Sequence, residues 1–339
     1  MLSRAENSFN SHSIQEPAQG LQQSHSNFIG RRQSSGSYHS HLATTSQGTA
    51  AQTTASLRRT SSQVCRSSRV GVPYRCFTSG GLKEPTWIAI SDSGKVLVVD
   101  ASAMTANIYL QDGQKQFTFK VIGIQGGCFW MESKLALATI RGLAICELDG
   151  KVLRENTIGS VLGTKPYNFG FIGFRKQELM IYGGCEGQLV GKITSRRRPG
   201  ILRKSHRFKS ISDVAVNKHK DIVVLDIGSD ALYVINEAGM MQLKISLSSS
   251  IIPNGQIKDA HGITVDRQDA IIVSDHGNRR VMRFSSDGLC VRCIIDFMQG
   301  TNGAGTGGLF LYGVQVSNSF ELYVAVSTSQ SAEVRVYNI

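Results

Sequence analysis

The chain has 339 residues, with 37 Lys+Arg against 25 Asp+Glu for a formal charge of +12, and an apolar share of 41% that suffices for one sizeable packed domain. No run approaches the roughly 18 apolar residues of a membrane span and no apolar h-region follows Met1, which argues against a secreted or membrane protein, so no membrane partner is expected. Seven cysteines, an odd number, fit free thiols in a reducing, cytoplasmic compartment better than a disulfide framework.

Residues 1–78 hold eight Arg and two Glu, which is half of the excess charge in less than a quarter of the length. Residues 1–70 contain 16 Ser, 8 Gln and 6 Thr without apolar periodicity. Such a stretch cannot bury enough apolar surface to offset its ordering entropy, so a disordered tail is expected over 1–70 and a folded domain over 71–339. Arg31-Arg32-Gln33-Ser34 and Arg58-Arg59-Thr60-Ser61 place paired Arg upstream of a Ser. An acidic kinase pocket selects that pattern, which makes Ser34 and Ser61 candidate phosphorylation sites.

From residue 85 short apolar alternations return at intervals of 40 to 50 residues, bounded by Gly, Asp and Ser. Trp87-Ile88-Ala89-Ile90 and Val96-Leu97-Val98-Val99-Asp100 form the first pair of runs, with 13 residues from position 87 to position 100. The same interval separates Gly170 from Gly183, Asp213 from Asp226, Gly262 from Asp275 and Gly313 from Val326; one unit, Cys128 to Thr139, is shorter. A third run follows each pair, as in Leu232-Tyr233-Val234-Ile235, and a turn Gly leaves room for a fourth. Six units of four antiparallel strands predict an all-β, six-bladed propeller. The last unit ends at Ile339 without its outer strand, and Val72-Pro73-Tyr74-Arg75-Cys76-Phe77 is the strand-like segment left to supply it. Pro73 is tolerable there, because an outermost strand needs no donor on its free side.

Ala260-His261-Gly262-Ile263-Thr264-Val265-Asp266, followed by Ala270-Ile271-Ile272-Val273-Ser274-Asp275-His276-Gly277-Asn278-Arg279-Arg280-Val281, resembles the NHL repeat. Glu84-Pro85, Lys165-Pro166 and Val214-Ala215-Val216-Asn217 match it more loosely, and Arg279 stands where the repeat has His. The layout resembles the C-terminal propeller of TRIM-NHL and brain tumor-type proteins. That resemblance implies a monomeric propeller that binds single-stranded or stem-loop RNA and represses messages after transcription. The alternative it leaves open is a scaffold that recruits protein partners to a ubiquitin ligase. No Cys and His ladder for RING zincs is present.

Cys290-Val291-Arg292-Cys293 has no second pair with which to bind a structural zinc, and its thiols read as structural. Asp213 and His261 start inner strands at nearly matching points, but Trp87, Cys128, Gly170 and Gly313 fill the other positions of that register. Neither catalysis, a metal nor a cofactor is therefore expected. Propeller topology sorts charges onto two faces. The face that carries the loops between blades and the turns between second and third strands receives Lys83, Trp87, Arg141, Lys165, Tyr167, Arg207, Lys209, His261, His276, Arg279 and Tyr312. Cations interleaved with rings suit phosphates and unpaired bases, so these are the expected RNA-binding residues. The opposite face receives a second basic patch of Arg175, Lys176, Arg196, Arg197, Arg198, Lys218 and Lys220.

Overall fold

The computed structural model describes residues 72–77, 81–130, 132–157, 169–175, 178–183, 189–194, 200–204, 208–236, 238–298 and 308–339. The expected tail, with Ser34 and Ser61, lies outside them. Apart from one short 3-10 turn at Ile227–Ser229, the described elements are strands. The chain enters with β1 (Arg75–Phe77), and a first sheet then runs β2 (Pro85–Ile90), β3 (Val96–Asp100), β4 (Thr105–Tyr109) and β5 (Lys115–Lys120). The next sheet holds β6 (Ile124–Phe129), β7 (Lys134–Thr139), β8 (Gly142–Glu147) and β9 (Val152–Thr157). It is followed by β10 (Phe169–Arg175), β11 (Glu178–Gly183), β12 (Leu189–Thr194) and β13 (Gly200–Lys204), whose backbone alone is described. Then come β14 (Ile211–Val216), β15 (Ile222–Asp226), β16 (Ala231–Ile235) and β17 (Met241–Ser246). A further sheet holds β18 (Ala260–Val265), β19 (Ile271–Asp275), β20 (Arg280–Phe284) and β21 (Val291–Asp296). The last consists of β22 (Phe310–Val316), β23 (Glu321–Ser327) and β24 (Ala332–Asn338), with β1 paired antiparallel on the outside of β24.

These sheets are the blades of an all-β propeller. Inner strands lie against one another from β2 through β6, β10, β14 and β18 to β22, and β22 returns to β2. Second strands such as Val96–Asp100, Ile222–Asp226 and Ile271–Asp275 are buried along their whole length, because blades stack face to face and both faces of a middle strand are covered. The segment before residue 78 supplies the missing outer strand as the sequence predicted: Arg75 pairs with Val336 and Phe77 with Val334.

A buried carboxylate ends three of the second strands and organises the loop between blades. Asp100 accepts the backbone N–H of Lys83 at 2.6 Å and of Ala103 at 2.9 Å. Asp226 accepts those of Lys209 at 2.9 Å and Ser210 at 2.7 Å, and Asp275 accepts that of Lys258 at 2.8 Å. Each Asp bonds a Lys 17 residues earlier in the chain. The loops of one face are therefore tied to the core by charge-assisted bonds rather than left to wander.

Candidate active site

Inner strands carry an irregularity at one end, between Pro85 and Trp87, Ile124 and Gly126, Ile211 and Asp213, Ala260 and Ile263, and Leu311 and Val314. A bulge re-aims the side chain at the extra residue. Thr86, Gln125, Ser212, His261 and Tyr312 thereby reach equivalent places at one mouth of the propeller. The Trp87 indole donates to Gly127 O at 2.8 Å and packs against the core of its own and the next blade. It also packs against the cluster of Phe208, Val214 and Tyr233 in the blade across the ring. Trp87 is a plug packed between these blades.

Four rings meet above this plug. His261 lies 5.1 Å from His276 and 5.7 Å from Tyr312, measured between ring centroids. His276, Phe310 and Tyr312 are nearly parallel, with 17° between His276 and Phe310 and 13° between Phe310 and Tyr312. Close strand packing brings them together. A Cβ on Gly262 would stand 2.8 Å from Tyr312 O, and the Ser274 hydroxyl bridges β18 to β22 by donating to Tyr312 O at 2.8 Å.

The rings are electrostatically distinct. His276 Nδ1 accepts the Leu311 N–H at 3.0 Å, so the neutral ring carries its proton on Nε2. Desolvation lowers its pKa and nearby Arg279 adds to the shift, against the pull of Asp259 and Asp275. Desolvation also lowers the pKa of His261, followed by the charge of His276, with Asp259 opposing. Both imidazoles are thus neutral at pH 7, available as a base and as a donor. Tyr312 OH donates to Glu84 Oε1 at 2.9 Å; burial, then this bond, push its pKa up to about 12. Glu84 is held in turn by the Ser102 hydroxyl at 2.7 Å.

Asp213 is buried beside this cluster and bonds backbone instead of ligand, accepting Val214 N–H at 2.7 Å and Ile263 N–H at 2.8 Å. Burial raises its pKa well above the ordinary value despite these two donors. A raised folded pKa contributes stability below the unfolded value, and that contribution is lost as pH rises toward the folded value. Asp213→Asn is expected to flatten the fall in the urea midpoint as pH rises above the ordinary carboxylate value of about 3.9. A slope equal to the parent's would show that Asp213 stays ionised throughout.

The structure describes eight of the expected RNA-binding residues. His261, His276 and Tyr312 converge, and Arg279, in a left-handed turn conformation at φ 53°, stands beside them. Lys83, Lys209 and Arg141 are exposed on surrounding loops. Lys165, Tyr167 and Arg207 lie outside the described residues. Of the second patch, Lys218 is committed to Asp269 on the next blade at 2.9 Å, and Lys220 is exposed. Arg175 ends β10, and Lys176 and Arg196–Arg198 lie outside the described residues. Sequence reasoning missed Phe310 and Glu84; the alternation Phe310-Leu311-Tyr312 at the start of an inner strand was the available signal for Phe310. Among the described residues no group of three His, Cys, Asp or Glu side chains is arranged to hold a metal. No described helix is long and apolar enough to cross a membrane.

No family model and no curated protein matches the chain. Solved structures do. A catalytically inactive His-to-Ala variant of virginiamycin B lyase from Staphylococcus aureus, with quinupristin, is 13% identical with a TM-score of 0.53, over 78% of this chain and 88% of that one. A gluconolactonase from Xanthomonas campestris is 12% identical with a TM-score of 0.58, over 77% and 88%. A luciferin-regenerating enzyme is 12% identical with a TM-score of 0.59, over 79% and 96%. At such identities the likeness shows the propeller fold, and it does not reach the narrower NHL-type family. It does correct the expectation of a non-catalytic propeller that binds RNA or serves as a scaffold, because these solved propellers are enzymes.

Proposed function

We propose that the chain is a propeller enzyme that cleaves an ester-type C–O bond by acid–base catalysis, with His261 and His276 as the proton-transferring pair. The observation that carries this reading is the meeting of two imidazoles, both with lowered pKa and one with its proton assigned to Nε2, at the mouth of a plugged propeller. A neutral His261 takes a proton from water or from the carbon next to a carbonyl. The His276 Nε2–H gives one to the departing oxygen, so no net oxidation occurs. The parallel faces of Phe310 and Tyr312 form a platform for a flat or ring-shaped substrate. The inactivity of the His-to-Ala lyase variant is in keeping with a histidine-dependent reaction in this fold.

The finer layout in this reading is one ring of six blades, NHL-type in its repeat. The unbroken succession of inner-strand contacts and the Ala260–Asp266 motif support it. Unbridged Cys76, Cys128, Cys146, Cys290 and Cys293 support a reducing, cytoplasmic setting.

The full chain should turn over a member of a panel of lactones, cyclic depsipeptides and aryl esters. His276→Gln and His261→Gln should each lower kcat/KM by about 10²- to 10⁴-fold. The acid limb of the parent's pH profile should fall below the ordinary imidazole value of about 6.5. Turnover that survives both substitutions would assign the chemistry elsewhere, and a parent inert to the whole panel would remove the ester reading.

A further inference from the structure

Three aliphatic side chains stand out of one rim of the propeller: Met104 is 47% exposed, Ile122 66% and Ile140 59%. They come from the β3–β4 turn, the link between β5 and β6, and the β7–β8 turn, all on the face of the histidine pair. The backbone joins these turns into one edge. Val121 N–H donates to Met104 O at 2.8 Å, and Ile140 N–H donates to Gly123 O at 2.9 Å. The Ile140 side chain rests over Gly123, where a Cβ would meet it at 2.4 Å. The tips are therefore held outward by bonded turns.

The exposed charges on and beside these turns are basic. Lys120 lies across from Thr105 at the end of β5, Arg141 follows Ile140, and Lys83 stands on the adjoining loop; all three are exposed. Among the described residues none of the three has a carboxylate partner. The acids of this rim are already engaged, since Asp100 is fully buried on backbone amides and Glu84 accepts from Tyr312 and Ser102. Single exposed aliphatics are ordinary, but three on one bonded edge within a cationic border are a contiguous amphipathic surface.

We propose that this rim docks on an anionic lipid surface. Met104, Ile122 and Ile140 enter the boundary between headgroups and acyl chains, while Lys83, Lys120 and Arg141 meet the headgroup anions. Tips that protrude from separate turns suit a fluid layer, which closes around each of them. A folded partner would need a matching socket for each. The expectation that this protein has no membrane partner rested on the absence of an apolar run, and docking of this kind needs none.

The test is flotation of the full chain with vesicles of phosphatidylcholine alone or mixed with phosphatidylserine. The parent should float with the mixed vesicles and stay behind with the neutral ones. The Ile122→Ser/Ile140→Ser double variant, whose basic N-terminal segment is intact, should lose at least about tenfold in vesicle affinity. If that variant melts below the parent, Ile122→Glu alone, at the most exposed tip, should produce the same loss. Flotation of the double variant and of Ile122→Glu at the parent's level, as a tail-driven interaction would give, overturns the proposal. So does failure of the parent to bind mixed vesicles. None of these readings depends on turnover, so the membrane and catalytic assignments stand or fall separately.

Discussion

A chain that begins at residue 80 is expected to lose several kcal/mol of stability or to aggregate, whereas one that begins at residue 66 should match the full-length protein. The shorter chain leaves β24 as an open edge, a ready template for pairing with another molecule. It also loses Phe77, which is 1% exposed and stacks on Tyr109 at 5.4 Å and against Tyr323 at 5.9 Å. These partners belong to the first and last blades, so one ring joins the two ends of the propeller. Truncating a buried Phe costs about 3–5 kcal/mol by itself. A polar lock is lost as well. Tyr74 OH and Arg75 both donate to Glu321, the Arg75 contact at 2.7 Å, and Gln111, Tyr323, Ser319 and Ser317 donate to it as well. Burial would raise the Glu321 pKa, yet hydrogen bonds led by that from Tyr74 hold it down to about 2. A depressed carboxylate contributes stability above its unfolded pKa of about 4.3 and loses it on acidification, so the longer chain should also show the steeper acid limb. Equal urea midpoints for the two chains at pH 7 would show that β1 is dispensable for closure.

Gly262→Ala is the second change with a large expected effect, because it acts on the fold and on the candidate site together. The new Cβ would stand 2.8 Å from Tyr312 O, 2.9 Å from Val314 N and 3.1 Å from Gly313 Cα. All three are backbone atoms of β22, which has no free end to swing aside. Adjacent inner strands must then separate, at a cost of about 1–3 kcal/mol or more for overpacking. Separation also moves His261 away from Tyr312 and strains the Ser274 bonds, which run to Gly262 N at 2.7 Å and Tyr312 O at 2.8 Å. The expected result is a lowered melting temperature accompanied by a shift in both histidine ring resonances. A variant with the parent's melting point and unmoved resonances would mean that β18 and β22 are less closely apposed than this geometry requires.

The repeat was legible in the sequence because a blade is built from local rules. Strands alternate with period two, the interval from the start of one run to the end of the next is set by strand length plus a short turn, and the Asp at the end of Val96–Asp100 or Ile271–Asp275 is bonded within its own blade. The closing strand was legible by exhaustion, since the final unit lacked a partner and the segment before residue 78 was unclaimed. The face on which each loop emerges also followed from strand count alone. The use made of each side chain on that face did not follow. Trp87 and Tyr167 look alike as candidate stacking residues, yet Trp87 crosses the axis to a cluster that includes Tyr233, more than a hundred residues away in the chain. His261, His276 and Tyr312 occupy an inner strand, a turn and the next inner strand, and their meeting depends on how closely Gly262 lets two blades approach. Met104, Ile122 and Ile140 form no apolar run in sequence and share an edge through backbone bonds between turns. Sequence periodicity reports contacts within a blade, where hydrogen-bond register fixes neighbours. Contacts between blades depend on side-chain volume at the axis and on strand separation, and those quantities exist once the ring has closed.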